Sequence, residues 1–149
     1  MKVFAHEKYV INKSAAEELG FTPGTVTITS GSTLTFTYGN KQTDPHTLTI
    51  VPQARLPHTA PQIDQCAVCR QYATPHLKNP KAPPGPNNSI AHFVLDKGQP
   101  GLDTIGDSIA IAPTPAHKSI TVQVSAPAGT TLYFICAIHP WMQGKIIVK

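Results

Sequence analysis

Residues 136–149 read CAIHPWMQGKIIVK. Cys136, His139 and Met142 fall three residues apart, just ahead of an apolar run. A core strand that happens to carry three soft side chains would account for the composition. A metal centre would account for the spacing. A tight loop between two strands can turn three such side chains inward only if its residues are few and stiff, and Pro140 and Gly144 meet that need. Choosing between the two readings requires a fourth ligand and a scaffold.

The scaffold emerges on either side of this loop. TTLYFIC (130–136) leads into it and GKIIVK (144–149) leaves it, with SITVQVS (119–125) upstream of an APAG turn. In FTPGTVTITSGSTLTFTY (21–38), Val26 and Ile28 alternate with threonines, SGS turns the chain, and Leu34, Phe36 and Tyr38 alternate again. This pattern predicts a strand pair with one buried face. HTLTIV (46–51) alternates as well, with Leu48 and Ile50 on one face. VFAHEKYVI (3–11) predicts an edge strand, and SAAEELG (14–20) a helical turn ended by Gly20. Short strands with Pro and Gly punctuation predict an all-β antiparallel sandwich, residues 1–149 forming a single domain. The alternation lapses from about 52 to 115, where prolines crowd as in PHLKNPKAPPGPNN (75–88). A connection this long in a compact domain is functional or disordered. Its content favours an ordered, partly helical insertion. APQIDQCAVCRQYA (60–73) predicts a brief helix with Ile63, Val68 and Tyr72 along one side, while IAHFVLD (90–96) and SIAIA (108–112) predict short strands.

Composition narrows the function classes. A formal charge of +4 on 149 residues, with lysines scattered rather than massed, lacks the basic stripe of a nucleic-acid binder. No stretch is apolar enough to span a membrane. No leader is visible, so a signal peptide is expected to have been removed ahead of Met1. The chain also lacks a nucleophile elbow, a His-Glu-x-x-His helix and a Gly-rich phosphate loop, so no enzyme activity is expected. Three cysteines cannot all pair, which leaves one sulfur to explain.

The fourth ligand is offered by DPHTLTIV (44–51). His46 opens a strand directly after Pro45, whose ring fixes its own backbone angle and pushes Asp44 into an extended shape. Two imidazoles and one thiolate in a trigonal set, with a distant thioether on the axis, make the blue-copper arrangement. His46, Cys136, His139 and Met142 supply that set from two separated segments. Taken together, FTPGTVTITSGSTLTFTY, DPHTLTIV and YFICAIHPWMQGKIIV resemble the cupredoxins, small type 1 blue-copper proteins of the plastocyanin and azurin kind. The loop is similar to that of amicyanin, with its Cys-x2-His-x2-Met followed by Gly and an apolar strand.

The resemblance implies a Greek-key cupredoxin β-sandwich binding one mononuclear copper. His46, Cys136 and His139 become equatorial ligands and Met142 the axial one. It implies a buried His46 and a His139 that reaches the surface, ringed by Pro140 and Trp141 as a docking patch. Trp141 packing over the ligands to exclude water is an equal alternative. Many cupredoxins carry Asn after the first ligand histidine, tying the ligand segments together; Thr47 stands there in this chain. The implied function is single-electron transfer between redox partner proteins by a periplasmic or extracellular monomer. A copper delivery or storage protein, or an electron-transfer subunit of a larger copper enzyme pathway, is the alternative. A binuclear copper centre would need a second thiolate four positions from Cys136, and a multicopper oxidase would need histidines on both sides of it. Both are absent.

Cys66 and Cys69, in QCAVCR, have three readings. A disulfide is favoured by the extracellular setting that the resemblance implies, and it leaves Cys136 free. A zinc or second copper site with His58 and His76 is the next. A redox dithiol lacks its βαβ context. His6, His92 and His117 read as strand or surface histidines.

Overall fold

The computed structural model describes residues 1–6, 20–39, 44–85 and 87–149. The described chain forms two sheets. One contains β2 (Gly20–Thr22), β1 (Lys2–His6), β4 (Thr33–Tyr38) and β8 (Ser119–Gln123) in that order. The other runs β3 (Thr25–Ile28), β10 (Gln143–Val148), β9 (Thr131–Ile135), β5 (His46–Val51), β7 (Ser108–Ile111) and β6 (Val94–Leu95). Between the sheets lie Leu34, Phe36, Leu48, Ile50, Phe134 and Ile146, all essentially without exposure. Removing these apolar side chains from water is the main force closing the sandwich. The sandwich of the sequence reading is present, and a helical insertion covers it.

Three local expectations need correction. The 21–38 stretch is not a hairpin: β3 pairs with β10, whereas β4 pairs with β1 and β8. Alternation reports which face a strand buries, not which strand it joins. At Gly31, whose φ of 81° suits a residue without Cβ, the chain crosses from one sheet to the other. Nor is the sandwich purely antiparallel, since β1 runs parallel to β4 and β3 to β10. The N-terminal strand is not an edge, because β2, which opens at Gly20, flanks it on its far side. The proposed helical turn over 14–19 lies outside the described residues.

The segment after β5 folds over the outer face of the larger sheet. The predicted helix is two: α1 (Ala60–Asp64), capped by the Thr59 side chain, and α2 (Ala67–Ala73). Val68 and Cys69 from α2 pack with Leu56, Val51 and Ile135 in a second buried cluster, with Tyr72 at its margin. β5 is therefore buried on both faces. His46, Leu48 and Ile50 point into the sandwich, and Thr47, Thr49 and Val51 point under the insertion. The short strand at 108–111 belongs to the sheet itself, hydrogen-bonded to β5.

Candidate metal centre

β5 and β9 are antiparallel neighbours, so the start of β5 and the end of β9 lie at one end of the sandwich. That places His46 beside the loop that leaves β9 at Cys136. Backbone bonds shape the loop: the Cys136 N–H donates to Met142 O at 2.9 Å, and the Met142 N–H donates to His139 O at 2.9 Å. The Gln143 side chain donates to Pro140 O and, across to the insertion, to Pro57 O. On the other side, the Tyr38 hydroxyl donates to Asp44 O at 2.6 Å, and its ring meets His46 edge-on.

Among the described residues, His46, Cys136 and His139 converge their donor atoms as a metal-ligating group, all buried. Cys136 Sγ lies 3.9 Å from His46 Nδ1 and 3.7 Å from His139 Nδ1, and the two nitrogens are 3.2 Å apart. A point equidistant from the three atoms sits about 2.1 Å from each. That falls within the roughly 2.0–2.3 Å at which borderline metals bind imidazole nitrogen and thiolate sulfur. Met142 is buried at 1% exposure in the same cluster as Cys136. Two nitrogens and a thiolate around one point, with the thioether of buried Met142 available from the same loop, form a donor set that fits copper.

Electrostatics agree with a site built for a cation. Burial, with repulsion from His139 second, pushes His46 down to about 3. Burial pushes the Cys136 thiol up, against hydrogen bonds from the backbone of Thr47, Ile138 and His139 and from the Thr47 side chain. Without metal, the pocket thus holds a neutral imidazole at His46 and a protonated thiol, and binding must displace the thiol proton.

The His46 shift also sets an acid sensitivity. The unfolded chain takes up a proton near pH 6.5, whereas folded His46 resists until about 3. Stability of the metal-free protein should therefore fall as pH drops through this window, by about 2 kcal/mol between pH 7 and 5. Buried His76 is shifted down as well and adds in the same direction. Urea unfolding at the two pH values checks this; equal midpoints would refute it, and His46→Phe should shrink the difference.

The remaining candidates are placed as follows. His139 does not reach the surface as expected: only 8% of it is exposed, because Trp141 lies beside its ring, with centroids 5.5 Å apart. Trp141 itself is 43% exposed, and Pro140 is half-buried. Thr47 bridges the two ligand segments: its N–H donates to Cys136 Sγ at 3.4 Å, and its hydroxyl accepts from the Ala137 N–H at 2.7 Å. Pro45 lines a cleft of about 1320 Å³ between the ligand loop and the insertion. Cys66 and Cys69 are joined in a disulfide. His58 is exposed, and both ring nitrogens of His76 are hydrogen-bonded, to His92 O and to Ser108 Oγ. The four-ligand site of Cys66, Cys69, His58 and His76 is thereby ruled out. Gln143, Thr49 and Ser108 went unnoticed in the sequence, because nothing in their local pattern distinguishes them from ordinary strand residues.

The disulfide closes a very short loop, so chain entropy assigns it only about 2 kcal/mol. The double variant Cys66→Ser/Cys69→Ser should lose about that much in denaturant unfolding and keep any copper colour.

No family model and no curated protein matches the chain. Among solved structures, it is similar to a purple cupredoxin from Nitrosopumilus maritimus at 11% identity and a TM-score of 0.48, over 99% of this chain and 98% of that one. Oxidised plastocyanin from Dryopteris crassirhizoma gives 18% and 0.48, over the whole of both chains. Auracyanin A from Chloroflexus aurantiacus, a "blue" copper protein, gives 20% and 0.47, over 100% and 97%. These likenesses are too distant to carry weight beside the donors themselves. The chain is similar to the cupredoxins, and it is the convergence of its own His46, Cys136 and His139 that fits copper.

Proposed function

We propose that this chain is a type 1 copper protein that carries single electrons between redox partner proteins. The observation that supports it is the triangle of His46 Nδ1, Cys136 Sγ and His139 Nδ1, with Met142 buried on the same loop. Copper there would supply one-electron chemistry through a strongly covalent thiolate bond. His46, Cys136 and His139 would hold the copper, with Met142 as a weaker fourth donor. The chain's own contribution is rigidity: the loop is fixed by backbone bonds and the donors are buried, so little reorganises when charge changes.

An electron must leave through the loop. Trp141, exposed and against His139, with Pro140 beside it, is the contact surface for a partner. Four protein donors leave little room for a substrate, which favours a carrier over an enzyme. The site of action is periplasmic or extracellular, in keeping with the Cys66–Cys69 disulfide, and the working unit is a monomer. Copper-loaded protein should show an intense visible thiolate band that vanishes on reduction and returns on oxidation. Tight Cu(I) binding without that band would instead indicate delivery or storage.

A further inference from the structure

We propose that His76 is a positioning residue for the metal centre: through Ser108 and Thr49 it draws the hydroxyl proton of Thr47 away from the Cys136 sulfur. This rests on the copper reading above. Beneath the insertion runs a chain of polar side chains, all without exposure. His76 Nε2 lies 2.7 Å from Ser108 Oγ, Ser108 Oγ 2.6 Å from Thr49 Oγ1, and Thr49 Oγ1 3.0 Å from Thr47 Oγ1. Thr47 sits between the two ligand segments.

The direction of the chain follows from its ends. His92 O is a carbonyl and can only accept, so His76 Nδ1 must carry a proton and donate to it. Burial keeps the ring neutral, which leaves Nε2 bare and able only to accept. Ser108 then donates to His76, Thr49 to Ser108, and Thr47 to Thr49. Each hydroxyl accepts one bond and gives one. At the far end the Ala137 N–H donates to Thr47 Oγ1, as this direction requires.

The Thr47 hydroxyl has one proton and two takers, since Thr47 lies against the Cys136 sulfur, its own N–H donating to Sγ at 3.4 Å while its hydroxyl is held by the N–H of Ala137, the residue after Cys136. With the relay intact, that proton goes to Thr49. A hydrogen bond withheld from the thiolate leaves more electron density on the sulfur for Cu(II), and hydrogen bonding around this sulfur is a known control of potential. The insertion therefore does more than cover the sheet: its His76 sets the hydrogen bonding of a ligand several residues away.

Two measurements decide it. In metal-free protein, ¹⁵N shifts of the His76 ring should report Nδ1–H with Nε2 unprotonated; an Nε2–H tautomer overturns the proposal whatever metal the protein binds. In copper-loaded protein, Ser108→Ala and Thr49→Val each free the Thr47 proton for the sulfur. The thiolate band should move to shorter wavelength and the potential rise, by about tenfold in the one-electron equilibrium, or about 59 mV. Ser108→Thr should restore wild-type values. An unchanged band and potential in both variants would overturn the relay. Absence of a thiolate band in the wild type would instead refute the copper reading, leaving the tautomer measurement to judge the relay.

Discussion

Cys136→Ser is expected to erase the intense visible absorption of the copper-loaded protein completely. The band requires charge transfer from a soft, covalently bound sulfur, and a serine oxygen cannot supply it. No other sulfur can step in. Cys66 and Cys69 are bonded to each other within the insertion, and a thioether such as Met142 carries no anionic charge to donate. The variant should fold, because the bonds that shape the loop are backbone ones, from Cys136 N to Met142 O and from Met142 N to His139 O. Relieved of a buried thiol, the apoprotein should be about as stable as wild type. Copper affinity should drop by several factors of ten, since one of three close donors is gone. Equilibrium titration with a competing chelator and a visible spectrum check both. A band that survives the substitution places the metal somewhere other than this triangle.

The donors were legible in the sequence because each carries chemistry that is scarce in a small β domain. A cysteine, a histidine and a methionine at fixed spacing are uncommon, and Pro45 marks His46 as mounted stiffly. Strand positions were legible too, since β4, β5 and β9 alternate cleanly. Pairing was not. β3 and β4 flank a turn and look like a hairpin, yet the chain crosses between sheets at Gly31. That choice depends on partners more than a hundred residues away in β10, which local periodicity cannot express. The same limit hid the relay. Thr49 and Ser108 are ordinary strand residues in sequence, and only the β5–β7 register sets them opposite each other. His76 drew notice as a possible metal ligand alongside Cys66, Cys69 and His58, but its ring is committed on both sides. The exposure of His139 was overestimated because Trp141, adjacent in the loop, folds onto it rather than standing clear.

Phe134→Ala should produce the largest loss of stability of any single substitution considered, about 3–5 kcal/mol. Phe134 has no exposure and packs edge-on against Phe21, with centroids 5.1 Å apart. It also fills the space over Gly144. A Cβ built on Gly144 would come within 2.4 Å of the Phe134 ring and 2.6 Å of Gly24 O. The ring is thus wedged against the bare backbone of β10, two residues from Cys136 on one strand and two from Met142 on the other. Removing it opens a cavity beneath β9 and β10, the two strands that flank the ligand loop. In a domain whose whole stability is on the order of 5–15 kcal/mol, chemical unfolding should detect that at once. The converse overpacking, Gly144→Ala, should cost about 1–3 kcal/mol. Because the two positions touch, they should couple: in a Phe134→Leu background, the added methyl meets less ring and Gly144→Ala should cost at least about 0.5 kcal/mol less than in wild type. Strict additivity would mean that the Gly24 carbonyl, not the ring, limits Gly144. The same double variant reports on the centre, since slack between β9 and β10 lets Met142 drift from the donor triangle and should broaden the thiolate band even where copper remains bound.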